Sequence, residues 1–262
     1  MQLLVSVRSA AEIEPALTGG ADIIDAKEPD RGSLGAVSAQ TLAEILECLP
    51  SNRTFSVALG DVAIEADVVA AIGSLILPSR PAPTFLKLGL AGVRSPELAG
   101  RLLRTAVKVA AGRGSAPRIV AVAYGDAGRA EALSPEVICR LAHQAGAAGI
   151  LLDTYVKDGR GLLRWVDPYR LAELITGARR AGMLTAVAGS LDLDDVKSVT
   201  RAAPDVFGVR GAACEGGRAG QVSTTRVREL RLRLGPAPSC ETRDQAADPA
   251  PAKRAKSVKT NG

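Results

Sequence analysis

Eight short runs of branched apolar residues punctuate the first 235 positions of this 262-residue chain, at 3–7, 22–26, 55–59, 85–90, 119–123, 149–153, 184–188 and 206–209. Longer amphipathic stretches separate them, among them AAEIEPALTGG, SAQTLAEILECL, SPELAGRLLRTAVKVAAG, SPEVICRLAHQAG and DPYRLAELITGARRAG. Several stretches open on Ser or Asp followed by Pro and close on Gly, which are the start and stop signals of helices. Strands of a parallel sheet are covered on both faces and read as near-continuous apolar runs, as these do. Eight strand–helix units in 235 residues is about 29 residues each, and that number closes naturally into a (β/α)8 TIM barrel of ~250 residues. The competing arrangement is a doubly wound open sheet. It is disfavoured because no GxGxxG follows the first run and because the count is eight. The expected fold is therefore α/β, a (β/α)8 TIM barrel over residues 1–235 with a disordered C-terminal tail over 236–262.

The tail reading rests on composition. Residues 236–262 are rich in Pro, Ala and charge and almost devoid of branched apolar side chains, so they cannot bury enough surface to offset their ordering entropy. They carry five basic and three acidic residues, a surplus of 5 − 3 = +2 out of the formal net charge of +5. The remaining +3 is a weak balance that suits anionic small molecules or nothing in particular. Seven aromatics and no basic cluster in the body give nucleic-acid binding no support. No apolar run approaches the ~18 residues of a membrane helix. The segment MQLLVSVRSA is too short for a signal peptide, and Cys48, Cys139, Cys214 and Cys240 are scattered, with no CxxC. A cytoplasmic enzyme without metal or cofactor is expected, acting on a small phosphorylated molecule and self-associating into a homo-oligomer.

Lysine usage locates the chemistry. Of the 33 basic residues 25 are Arg and 8 are Lys, and only five lysines lie in the body. Three of those, Lys27, Lys87 and Lys157, fall in or just past the second, fourth and sixth runs. In a barrel those strand ends surround the active-site mouth. Lys, unlike Arg, can lose its proton when desolvated or crowded by cations, and its amine can then attack a carbonyl to form a Schiff base. Asp25 and Asp153, two and four residues before Lys27 and Lys157, are placed to balance the charge. GGADIIDAK and AGAAGILLDTYVK echo each other four units apart, as a half-barrel duplication would. After the seventh and eighth runs, Gly189 and Ser190, then Arg210, Gly211 and Ala212, sit where barrels usually bind phosphate through backbone N–H groups. His143 is expected at a surface or a helix end, Trp165 and Tyr169 in packing, and Tyr124 and Tyr155 at strand ends near a pocket. Cys214 lies beside the phosphate loop without a histidine to activate it.

The strings GGADIIDAKEPDRGSLGA, FSVALGD, FLKLGL, LLDTYVKDGRGLL, VAGSL and FGVRGAAC resemble the (5-formylfuran-3-yl)methyl phosphate synthase family over residues 1 to about 235. The resemblance implies a TIM-barrel lyase that condenses two molecules of glyceraldehyde 3-phosphate, with loss of phosphate and water, towards methanofuran or an analogue of it. It also implies that Lys27 is the Schiff-base lysine and Lys87 the proton shuttle. Asp25, Asp153 and Lys157 would support them, with Gly189, Ser190, Arg210, Gly211 and Ala212 on phosphate. The Arg- and Ala-rich composition favours a methylotrophic bacterium over a methanogen. The residues alone leave two alternatives, a Schiff-base aldolase on another sugar phosphate and a non-catalytic phosphosugar-binding barrel.

Overall fold

The computed structural model describes residues 1–236, so the expected tail lies outside the described residues apart from Pro236. The eight apolar runs are the eight strands β1 (Gln2–Val7), β2 (Ile23–Ala26), β3 (Thr54–Asp61), β4 (Thr84–Gly89), β5 (Arg118–Tyr124), β6 (Gly149–Asp153), β7 (Leu184–Val187) and β8 (Val206–Val209). All neighbours pair in parallel and β8 returns to β1, closing a barrel in strict sequence order. The helices α1 (Ile13–Gly19), α2 (Ala39–Cys48), α3 (Glu65–Gly73), α4 (Pro96–Ala111), α5 (Pro135–Ala145), α6 (Pro168–Arg180), α7 (Val196–Ala202) and α8 (Thr224–Leu234) follow the strands one by one. A further pair of two-residue strands, β9 (Cys214–Glu215) and β10 (Gln221–Val222), forms an antiparallel hairpin between β8 and α8.

The helix signals act as their chemistry requires. Ser38 and Ser95 accept the N–H groups of Thr41 and Leu98, and Asp167 accepts those of Tyr169 and Arg170. Pro96, Pro135 and Pro168 open α4, α5 and α6, where a missing N–H costs nothing. Along α4 the buried residues Ala99, Leu102, Leu103, Ala106 and Ala110 repeat at helical spacing and form one stripe against the sheet.

Alternation along the strands divides the interior in two. Outward-facing side chains such as Leu3, Val5, Ile24, Phe55, Leu86, Leu88 and Phe207 join the helices in one continuous shell. Inward-facing ones build a second, smaller cluster that includes Ile23, Ala58, Val120, Val122, Leu151, Ala186 and Val206. Small residues dilute that inner layer at Ser6, Ser56, Ala186, Ala188 and Gly208, so the barrel is not filled to its mouth. What remains is a cavity of about 310 Å³ opening at the C-terminal ends of the strands. Among the described residues no helix is long and apolar enough to cross a membrane.

Candidate active site

Asp25 is fully buried just behind the cavity wall, against the lining residues Ser6, Ser56 and Lys87. Its Cα partners on the flanking strands are Ser6 of β1 and Ser56 of β3. Strand pairing alone therefore delivers two hydroxyls, at 2.7 Å to Oδ2 and 2.5 Å to Oδ1. Lys87 of β4 adds its ammonium at 2.6 Å from Oδ2. Burial by itself would raise the Asp25 carboxyl, but Lys87, Lys27 and these hydrogen bonds outweigh it and hold the group below the ordinary carboxylate range.

On the opposite wall, at the end of β6, Asp153 is arranged the same way. Its Oδ1 accepts the Lys157 ammonium at 2.5 Å and the Thr154 N–H at 2.7 Å, and Thr154 Oγ1 also accepts from Lys157. Burial again pushes the carboxyl up, and Lys157, Lys27 and the hydrogen bonds bring it below its usual range.

Lys27 stands between the two pairs. It is buried and lines the cavity, and its side-chain amine forms no hydrogen bond or ion pair with any described residue. Asp25, two residues before Lys27, is taken by Lys87 rather than by Lys27. Burial pushes the Lys27 ammonium down to about 7; Asp153 and Asp25 oppose that, and Lys87 and Lys157 add to it. A large fraction of Lys27 is therefore the neutral amine near neutrality, which is the nucleophilic form.

The rim between β7 and β8 is built from backbone. Gly189 and Ser190 both have positive φ, +101° and +52°, and both line the cavity. A Cβ at Gly189 would lie 2.9 Å from the Thr154 nitrogen, so only glycine lets this loop close against β6. Gly211 and Ala212 begin a single 3-10 turn, Gly211–Ala213, on the same rim, and the first N–H groups of such a turn have no partner within it.

Arg210 is different from its neighbours. Its Nη1 donates to Glu12 Oε2 at 2.5 Å and to the Ser6 carbonyl, and Nη2 donates to Glu12 Oε1 at 2.9 Å and to the Gly220 carbonyl. Nε donates to the Arg218 carbonyl. All five guanidinium donors are used, so Arg210 can offer an anion its main chain and not its side chain. Arg218, which the sequence reading passed over, does line the cavity.

The aromatic expectations fare unevenly. Tyr169 is 86% exposed and packs nowhere, because its place in the first turn of α6 faces solvent. Trp165 is partly buried and stacked by the guanidinium groups of Arg129 and Arg160. Tyr124 and Tyr155 form an edge-to-face pair beside the cavity rather than lining it. The Tyr124 hydroxyl donates to Asp61 at 2.8 Å. His143 is exposed in the last turn of α5. Cys214 is buried and burial pushes its thiol up to about 11, which keeps it protonated. Among the described residues no cluster of His, Cys, Asp or Glu could hold a metal ion.

Residues 3–231 match the family model of 4-HFC-P synthase. The chain is 37% identical to the (5-formylfuran-3-yl)methyl phosphate synthase of Methanococcus maripaludis strain S2, over 88% of this chain and 98% of that protein. It is 34% identical to the enzyme of the same name from Methanocaldococcus jannaschii, with the same coverage. In solved structures the barrel resembles 3-hexulose-6-phosphate synthase from Salmonella typhimurium, with a TM-score of 0.57 at 16% identity over 90% of this chain and 100% of that one. Phosphoribosyl anthranilate isomerase from Thermus thermophilus gives a TM-score of 0.56 at 14% identity over 89% of this chain and 98% of that one. Likeness at that level of identity speaks for the fold alone.

Proposed function

This chain belongs to the 4-HFC-P synthase family, and we propose that it condenses two molecules of glyceraldehyde 3-phosphate through an imine at Lys27. The product is (5-formylfuran-3-yl)methyl phosphate, made for methanofuran or a methanofuran analogue. The atoms balance: two triose phosphates, less one phosphoric acid and two waters, equal one furan aldehyde phosphate. The single observation that carries this reading is the desolvated Lys27 amine, unpaired between two lysine–carboxylate pairs in a closed-bottomed cavity.

The Lys27 amine adds to the aldehyde carbon of one triose and water leaves, giving an imine. Protonated, that imine draws electrons from the adjacent carbon and makes its hydrogen acidic. Lys87, ion-paired with Asp25 at 2.6 Å, gives a proton to the hydroxyl that leaves as water, takes up the hydrogen of that adjacent carbon, and passes it to the carbonyl oxygen of the second triose. The carbon–carbon bond then forms from the enamine, and the later losses of phosphate and water each need a proton delivered to a leaving oxygen. Lys157, fixed by Asp153 and Thr154, supplies positive charge on the opposite wall. The N–H groups of Ser190, Gly211 and Ala212 hold a phosphate at the β7–β8 rim.

Incubation of the protein with glyceraldehyde 3-phosphate tests this directly. One furan chromophore and one inorganic phosphate per two trioses are expected. A reversible carbon–carbon cleavage of another sugar phosphate without furan would instead favour an aldolase, and binding without turnover would favour a phosphosugar-binding barrel.

A further inference from the structure

Five cations line the cavity: Lys27, Lys87, Lys157, Arg210 and Arg218. Three are neutralised by a carboxylate within ion-pair distance, namely Lys87 by Asp25, Lys157 by Asp153 and Arg210 by Glu12. Lys27 is relieved by losing its proton. Arg218 has neither escape, because a guanidinium stays charged. Among the described residues no carboxylate stands within ion-pair distance of it. Its Nη2 donates to two backbone carbonyls, of Pro29 and Gly32, at 2.9 and 2.6 Å, while Nε and Nη1 have no partner there.

Those two carbonyls also fix where the charge sits. Arg218 belongs to the loop after β8, but its side chain reaches across the end of β1 to the loop after β2. That loop is itself pinned, since the Glu28 N–H donates to the Gly35 carbonyl at 2.8 Å and Arg8 bridges Glu28 and Asp30. The guanidinium is thus held on the β2 flank of the mouth, while the main chain of Arg218 lies beside Gly211. Gly189 and Ser190 occupy the β7 flank.

We propose that Arg218 forms a second phosphate subsite, separate from the β7–β8 rim, that holds the phosphate of the second substrate molecule. This deepens the reading of a two-triose condensation and rests on it for the identity of the ligand. Two reacting trioses bring two phosphates, and one set of backbone N–H groups cannot hold both. An unneutralised guanidinium with free donors is the matching group, because it engages phosphate oxygens in a fork. Holding the two phosphates at these two positions would leave the two carbonyl ends to meet over Lys27.

Calorimetric titration with inorganic phosphate, on the full chain and on the variants Arg218→Gln and Arg218→Lys, tests the subsite without needing turnover. Two phosphates per unmodified chain are expected. Arg218→Gln should bind one with unchanged affinity, and Arg218→Lys should bind two, the second weakened roughly 10-fold. In turnover, Arg218→Gln should raise KM for glyceraldehyde 3-phosphate by at least roughly 10-fold, with Lys27 still trapped by borohydride. A single phosphate per unmodified chain, or unchanged phosphate binding in Arg218→Gln, overturns the subsite. So does loss of both phosphates in Arg218→Gln, provided that Arg218→Lys retains its fold by circular dichroism. Failure of the condensation itself would be seen in the unmodified chain as absence of furan, whatever the phosphate count.

Discussion

Two clusters of buried charge lie within this barrel, and they resolve the cost of burial in opposite ways. Behind β1 and β8, Glu12 and Arg210 match one charge with one charge in a bidentate pair. The main chain takes every remaining guanidinium donor. In the cavity three lysines share two aspartates, so one amine is left over, and it is Lys27. A balanced cluster is inert and holds the β9–β10 hairpin to the barrel. An unbalanced one relieves itself by giving up a proton, which leaves a neutral amine. Charge counting thus separates a fully paired arginine from a lysine left without a carboxylate of its own, although both are equally hidden from solvent.

The largest expected effect comes from filling the odd position. Lys27→Arg keeps the charge but removes the titratable amine, and furan formation should fall at least ~10⁴-fold in a continuous absorbance assay. Lys87→Arg should lower turnover by ~10²–10⁴-fold while an imine at Lys27 is still trapped by borohydride, since only proton transfer is impaired. On the balanced side, Glu12→Gln strands a buried guanidinium and should cost about 3–5 kcal/mol in urea unfolding. Replacing both partners, Glu12→Leu with Arg210→Met, should cost less than that single change, because no charge is left unpaired.

The fourth effect is a gain in stability. The Lys27 ammonium is depressed from 10.5 to about 7, so the folded chain binds this proton less tightly than the unfolded one. Native stability should therefore rise as pH climbs from about 7 to 10.5. Lys27→Met removes the penalty and should stabilise the fold by on the order of 4 kcal/mol at pH 7, a gain that shrinks to nothing near pH 10.5. Smallest should be Lys157→Arg, which preserves the charge opposite Asp153 and should change turnover by less than ~10-fold.

Much of this was legible in the chain itself. The barrel announces itself because β5, buried at every residue from Ile119 to Tyr124, can read only as a covered strand. Lys27, Lys87 and Lys157 stand out because so few lysines occur in an Arg-rich body. Which lysine pairs with which aspartate was not legible, since the Asp25–Lys87 pair depends on strand register across three strands. The Glu12–Arg210 pair joins positions 198 residues apart, through the closure of β8 on β1. The hairpin that carries Arg218 has strands of two residues, too short to show any periodicity. Tyr169 was expected in packing because aromatic residues usually bury; at the second position of α6 nothing lies above it.

Borohydride reduction in the presence of glyceraldehyde 3-phosphate, followed by peptide mass mapping, bears most directly on the claim that the surplus amine is the reactive one. A single substrate-dependent adduct on Lys27 is expected, with its yield rising as pH passes through about 7 in step with the neutral amine. An adduct on Lys87 or Lys157, or full trapping at a pH well below 7, would contradict it.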